Sequence, residues 1–132
     1  MLIRGNAKLY VGTNSSISLS GGFDGIWIQT NASLNLYANT AIANISGKGV
    51  ISLGSGSQFH YWGMTNNIRL NYSANGAFFG TFYAPNADVF FSNGGSAVLD
   101  FSGSIVCKNL FLDGSSYRFH YDENLKRTAA FY

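Results

Sequence analysis

Charged side chains are scarce in this 132-residue chain: Asp, Glu, Lys and Arg make up 11% of it, against about 25% in an average globular protein. The net charge is +2, and no short window concentrates the basic residues. A protein that follows a phosphate backbone needs several of them on one face. Nucleic acid is therefore not expected as a partner.

Cysteine and long apolar runs are also nearly absent. The single cysteine, Cys107, excludes an intrachain disulfide, and its apolar neighbours in sequence favour a buried, unreactive thiol. No run of about 18 apolar residues is present, and residues 1–10 lack the apolar segment of a signal peptide. Direct membrane insertion is not expected. Two locations stay open: the cytoplasm, or the cell envelope or exterior if the sequence is part of a longer exported protein.

Apolar residues recur instead with a nearly fixed period. The series runs at intervals of 17 and then 21 residues through Ile17, Leu34, Ile51, Ile68, Val89 and Leu110. Each of them is followed two positions later by a second apolar residue, which is the alternation of a β-strand. A fixed period near 20 with this alternation indicates a solenoid, whose coils bury their apolar faces by stacking. The sequence predicts an all-β, single-stranded parallel β-helix of about six coils, with that series as one interior column.

The length predicts a single β-solenoid domain over residues 1–132. Within it we interpret residues 1–76 as regular 17-residue coils with an inserted loop at 71–76, residues 77–121 as longer coils, and residues 122–132 as a C-terminal cap. Nothing resembles a cap at the other end. The first coil, with Leu9 and Val11, is therefore expected to leave an open apolar edge that another segment or molecule covers.

Aromatic residues make up 16% of the chain, and the alternation directs several of them outward. Exposed rings in a row can bind a glycan or a protein partner, and the candidates are Trp27, Tyr37, Tyr61, Tyr72 and Phe82. The alternative is that these rings pack on one another between coils.

His60 is predicted to point inward, either as a buried imidazole bonded to a backbone carbonyl or as a site residue. A metal site needs several convergent ligands, and Cys107 and His120 lie several coils away. Neither a metal nor a cofactor is expected.

Three strings near the C-terminal end carry a resemblance to a known family. FFGTFYAPNADV at 78–89, GSIVCKNLFLDG at 103–114 and FHYDENL at 119–125 resemble the C-terminal β-solenoid domain of bacterial envelope proteins, including pilus-assembly (PilX-like) proteins of unknown function. The period alone also resembles that of the polymer-forming bactofilins. The resemblance implies a right-handed solenoid without catalytic residues. It implies structural roles for Gly80, Tyr83, Pro85, Asn86, Gly103, His120, Tyr121 and Asp122.

These features predict a non-enzymatic structural, assembly or adhesive module of a bacterial cell-envelope or pilus-related protein. It is expected to contact protein partners, or copies of itself, through the uncapped N-terminal end. The first alternative is a carbohydrate-binding module that uses the exposed rings. The more distant alternative is a polysaccharide lyase or hydrolase on a β-helix, which would need two nearby carboxylates such as Asp88 and Asp113.

Overall fold

The computed structural model describes residues 1–53, 58–74, 76–93, 98–114 and 116–120. All regular structure in those ranges is β-strand, as the two-residue alternation of apolar side chains predicts. The strands are β1 Leu2–Ile3, β2 Asn6–Val11, β3 Ile17–Leu19, β4 Ile26–Ile28, β5 Ser33–Ala38, β6 Ile42–Ile45, β7 Val50–Ser52, β8 Gln58–Gly63, β9 Arg69–Ser73, β10 Gly76–Ser92, β11 Leu99–Asp113 and β12 Tyr117–His120.

The strands wind into a coil with three faces, and the pairs among the described residues are parallel. The first face stacks β1, β4 and β7, the second stacks β2, β5 and β8, and the third stacks β3, β6 and β9. β10 then continues both the second and the third face, β11 stacks on β10, and β12 pairs with β11. From β1 to the start of β11 the chain completes about four turns. The predicted all-β parallel solenoid is confirmed.

The turns are longer than the predicted 17 residues. Asn6 pairs with Ser33, which lies 27 residues further along the chain. The interval has fallen to 21 where His60 pairs with Thr81. Longer turns mean fewer of them, so the chain forms about four turns up to β11 where about six coils were predicted.

The predicted interior column is therefore wrong in its register. Ile17 lies in β3, Leu34 in β5 and Ile51 in β7, which belong to three different faces. Seventeen residues are about two thirds of one of the early turns, so each step of 17 moves to another face of a three-faced coil. Leu34 stacks between Ala7 and Phe59 instead.

The predicted loop at residues 71–76 is also wrong. Residues 71–73 form the end of β9, with Tyr72 buried in the core, and Gly76 begins β10. The predicted cap at 122–132 lies outside the described residues.

The interior consists of columns of like side chains, one from each turn. One column contains Leu9, Leu36, Tyr61, Phe82 and Ile105, and another contains Leu19, Ile45, Tyr72, Phe91 and Leu112. Both change from aliphatic residues in the first two turns to aromatic ones in the next two. The rings of Tyr72 and Phe82 join the columns edge to face, with centroids 5.5 Å apart, a favourable geometry for aromatic pairs.

Close stacking of β10 on β8 and of β11 on β10 requires glycine at one position in each long strand. Gly80 and Gly103 occupy this position and pair with each other, with φ of 157° and 156°. A Cβ on Gly80 would collide with the carbonyl oxygen of Phe59, and one on Gly103 with that of Gly80. Glycine is required because the stacked backbones approach closely.

Candidate binding face and N-terminal edge

The outward positions of the second face carry four aromatic rings in register, one from each turn. They are Tyr10, Tyr37, Trp62 and Tyr83, and we call them the aromatic ladder. Tyr10 and Tyr37 stack with centroids 4.5 Å apart and planes at 9°. Tyr37 and Trp62 follow at 6.1 Å and 12°, and Trp62 and Tyr83 at 5.8 Å and 55°.

Ring stacking decides what the aromatic ladder can present to a ligand. Tyr37 has a near-parallel ring on each side, and Trp62 has one on the side of Tyr37 and a tilted ring on the side of Tyr83. Both side chains are only partly exposed. Tyr10 stacks on Tyr37 with one ring face. Tyr10 is 65% exposed at the N-terminal end of the coil. The ladder therefore offers ring edges along the rod and one open ring face at Tyr10.

His60 lies beside the ladder and points outward, so the predicted inward orientation is wrong. Its neighbours Phe59 and Tyr61 are buried in the core, and strand alternation places His60 on the opposite side. Nδ1 of His60 lies 2.7 Å from Oγ1 of Thr81, and Nε2 lies 3.3 Å from Oε1 of Gln58. His60 is 6% exposed, and this burial lowers the pKa of its imidazole, which favours the neutral ring.

The structure brings few of the predicted binding residues together. Tyr37 belongs to the aromatic ladder, whereas Trp27 is half-buried in β4 on the first face. Tyr61, Tyr72 and Phe82 are at most 1% exposed. Their predicted outward orientation is wrong, and they form part of the core.

The two buried tyrosines among these residues are hydrogen-bonded inside the coil. The hydroxyl of Tyr61 donates to Oδ1 of Asn67 over 2.9 Å. The hydroxyl of Tyr72 accepts from the backbone N–H of Val50 over 3.2 Å. Burial raises the pKa of Tyr61, and it raises the pKa of Tyr72 to about 12. Both hydroxyls are structural groups.

Sequence reasoning missed Tyr10 and Trp62 as surface rings and assigned Tyr83 only a structural role. The signal was present as aromatic residues at the same strand position in four successive turns, at intervals of 27, 25 and 21 residues. A search at the 17-residue period does not find it.

The other residues to which the resemblance assigned structural roles lie at a corner or near the last described strand. Pro85 and Asn86 are exposed at the register shift between Ala84 and Asp88, where a residue without an N–H costs no ladder bond. His120 in β12 places Nε2 2.9 Å from Oδ1 of Asp100. Tyr121 and Asp122 lie outside the described residues.

Asp88 and Asp113 do not form the pair that glycoside cleavage requires. Asp88 accepts from Nδ2 of Asn109 over 2.8 Å, at one end of the paired strand segments. Asp113 pairs with Ser92 at the other end. Ser92 lies four residues beyond Asp88, which is about 13 Å along the strand at 3.3 Å per residue. The required separation is about 5–10 Å. Among the described residues, no three His, Cys, Asp or Glu side chains converge on a possible metal position.

Cys107 lies in β11 with a partly buried thiol. Burial, and then the charge of Asp88, raise the pKa of this thiol. A raised pKa leaves little reactive thiolate near neutral pH.

The N-terminal edge, which we define as β1 to β3, is the outermost layer of the coil at that end. Within the part of the chain that the structure describes, β2 lies at the end of its sheet and pairs only with β5. Leu9 points into the interior and yet is 39% exposed, and Leu2 is 47% exposed. Residues 1–23 include Arg4 and Lys8 and no acidic residue. The edge thus combines free backbone groups, apolar side chains and positive charge.

Three stacked faces of parallel strands around an apolar interior define a β-solenoid domain. The chain belongs to the family described as "Domain of unknown function (DUF7305)", which matches residues 4–128. Comparison with curated proteins finds no match, and comparison with solved structures finds none either. In the part of the chain that the structure describes, no helix is long and apolar enough to cross a membrane.

Proposed function

We propose that this domain is a non-enzymatic structural or adhesive module of a bacterial cell-envelope or pilus-related protein, and that it assembles through its N-terminal edge. The observation that carries the proposal is the edge strand β2, with Leu9 and Tyr10 exposed and, among the described residues, no strand paired on its outer side. Unpaired strand edges are the usual sites at which another strand adds to a sheet.

The envelope or pilus setting has a separate basis. It is inferred from the three strings in residues 78–125, which resemble the solenoid domains of PilX-like and other exported proteins. The localisation we propose is the cell envelope or exterior, as part of a longer exported protein.

Assembly is tested by placing a charge in the exposed interior of the edge. We expect Leu9→Lys to reduce the average mass measured by light scattering, because an ammonium in an apolar contact carries a large desolvation cost. Thr13→Lys adds the same charge at an exposed corner of the same turn and should assemble like the parent chain. Equal masses for all three proteins would contradict the proposal.

Carbohydrate binding is the second candidate, and the aromatic ladder favours it. A sugar ring stacks on an open aromatic face, which Tyr10 provides, while the inner rings offer edges. On a glycan array we expect binding that Tyr10→Ala abolishes and Trp27→Ala, on another face, preserves. An array without any bound glycan would remove this candidate.

A further inference from the structure

We propose that Tyr10 and Tyr37 form an oxidative cross-linking site, at which a one-electron oxidant joins the two rings as dityrosine. The new bond fastens β2 of the first turn to β5 of the second. The inference concerns a contact between two turns of one chain, so it is independent of the proposed assembly and of whatever covers the N-terminal edge.

The register of the two strands holds these rings together. Tyr10 pairs with Tyr37 in the parallel ladder of β2 and β5, and both side chains point outward from the second face. The backbone N–H of Asn39 donates to the carbonyl of Val11 over 2.8 Å, which fixes the register next to the rings. The ring centroids are 4.5 Å apart, with the planes at 9°.

This stacking places the correct ring carbons close together. Dityrosine contains a bond between the carbon beside the hydroxyl-bearing carbon of one ring, Cε, and the same carbon of the other ring. In two rings that are in register and nearly parallel, equivalent carbons are separated by about the centroid distance of 4.5 Å. Heavy atoms are in contact within about 4.0–4.5 Å, so a small movement of the rings brings the two carbons together.

The reaction balances with two equivalents of a one-electron oxidant. Each phenol gives up one electron and its hydroxyl proton, which leaves a radical whose unpaired electron is shared by the Cε carbons. The two radicals form one carbon–carbon bond. The proton on each bonded carbon then moves to the oxygen, which restores both phenols. When a peroxidase is the oxidant, one hydrogen peroxide accepts the two electrons and two protons and becomes two waters.

Other tyrosines of the described residues are placed differently. Tyr61 and Tyr72 are at most 1% exposed, and their hydroxyls are hydrogen-bonded inside the coil. Tyr83 has the indole of Trp62 as its neighbour in the aromatic ladder, and the ring of Tyr117 stacks on that of Phe119. The first two turns therefore combine two features, a phenol stacked on a phenol and exposure of both to solvent.

Exposure and stacking together favour a bond within one chain. Tyr37 has a ring on each side and is still partly exposed, so a layer over the free face of Tyr10 would leave that ring accessible in the same way. Holding two reacting groups in the right geometry gives effective concentrations of up to about 10⁵–10⁸ M. Coupling between separate chains has no such advantage.

The cross-link should keep β2 attached to β5. It closes a loop of 27 residues and so constrains the unfolded chain as a disulfide does. The N–H groups of Ser33 and Asn39 donate to the carbonyls of Gly5 and Val11, so the odd-numbered residues of β2 face β5. We expect the amides of Leu9 and Val11 to exchange more slowly in the cross-linked protein than in the untreated one.

Peptide mapping after oxidation tests the site. The full chain is treated with a peroxidase and hydrogen peroxide, and is then cleaved after Lys and Arg and before Asp. Tyr10 lies in fragment 9–23 and Tyr37 in fragment 24–48, and each fragment contains a single tyrosine. We expect these two fragments joined in one product that is lighter than their sum by two hydrogen atoms. Its yield should not change with protein concentration.

Three matched substitutions separate this site from the rest of the aromatic ladder. Tyr10→Phe and Tyr37→Phe should each abolish the joined product and its dityrosine fluorescence, whereas Tyr83→Phe should preserve both. Fragment 9–23 joined only to a second fragment 9–23 would show coupling between chains and would overturn the inference. Oxidation confined to Trp62 would overturn it as well, because the indole would then be the reacting group.

Discussion

Tyr61 and Trp62 are adjacent in β8, yet the first lies in the core and the second on the surface. The difference follows from strand alternation alone, since successive side chains point to opposite sides. Once the pairing of β8 with β5 and β10 is known, every neighbour of these two residues is assigned. At the scale of the residue, the phase of the alternation decides which aromatic side chains stabilise the fold and which can contact a ligand.

Phe82 and Tyr83 are adjacent rings of similar size, so they test the assignment of inward and outward positions along the strand. Phe82 is 1% exposed and contacts the rings of Tyr61, Tyr72 and Phe91, whereas Tyr83 is 37% exposed. We expect Phe82→Ala to lower the free energy of unfolding by about 3–5 kcal/mol, because it opens a cavity. Tyr83→Ala should cost less than about 1 kcal/mol. Urea denaturation measures both, and equal losses would mean that the assigned phase is incorrect.

The buried hydroxyl of Tyr72 should cause a loss of stability at alkaline pH. Its pKa is raised from 10.0 to about 12 by burial, so the folded protein holds the phenolic proton more tightly than the unfolded chain. This stabilisation is complete below pH 10 and falls as the pH rises toward 12, by about 1.4 kcal/mol per unit. Urea denaturation between pH 8 and 12 should give a shallower decline for Tyr72→Phe than for the parent chain. Identical slopes for Tyr72→Phe and the parent chain would contradict the assignment.

At the scale of the element, the sequence predicts strands correctly but not how they stack. Apolar alternation around Leu34 and Ile51 is local and identifies β5 and β7 well. Register depends on the number of residues in a turn, which changes from 27 to 21 as the corners shorten. A fixed period of 17 therefore assigns Leu34 and Ile51 to one column, although their strands lie on different faces. The same error hides the aromatic ladder.

The close stacking of β11 on β10 depends on one glycine contact. We expect Gly103→Ala to destabilise the fold by more than about 2 kcal/mol, because its Cβ would collide with the carbonyl oxygen of Gly80 and its φ of 156° is strained for alanine. Gly12→Ala is the matched control, since a Cβ there meets nothing within 4 Å. It should change stability by less than about 0.5 kcal/mol. Thermal unfolding compares the two, and a tolerated Gly103→Ala would contradict the close stacking.

At the scale of the whole molecule, stability is a sum over layers, because each turn of a solenoid contacts only its neighbours. β8 lies between β5 and β10 and contributes Phe59 and Tyr61 to the aromatic interior. Among the described residues β2 pairs with one strand, and it contributes the smaller Ala7, which is partly buried, and Leu9, which is 39% exposed. Compared with β8, the N-terminal edge therefore gains more from a partner and opens more easily without one.

Amide hydrogen exchange should reveal the difference in stability between the β8 and β2 layers, and its loss on assembly. In dilute protein we expect slow exchange for β8 amides and much faster exchange for β2, with Lys8 and Tyr10 faster than Leu9, whose N–H faces β5. Raising the protein concentration should slow Lys8 and Tyr10 selectively, because those amides face away from β5 and assembly through this edge pairs them. NMR-detected exchange resolves each residue, and Ser18, outward on exposed β3, reports any general change in solvent access.

Protection in β2 that equals that in β8 in dilute protein would contradict the layered account. Protection of Leu9 alone on concentration would contradict assembly through the outer side of β2.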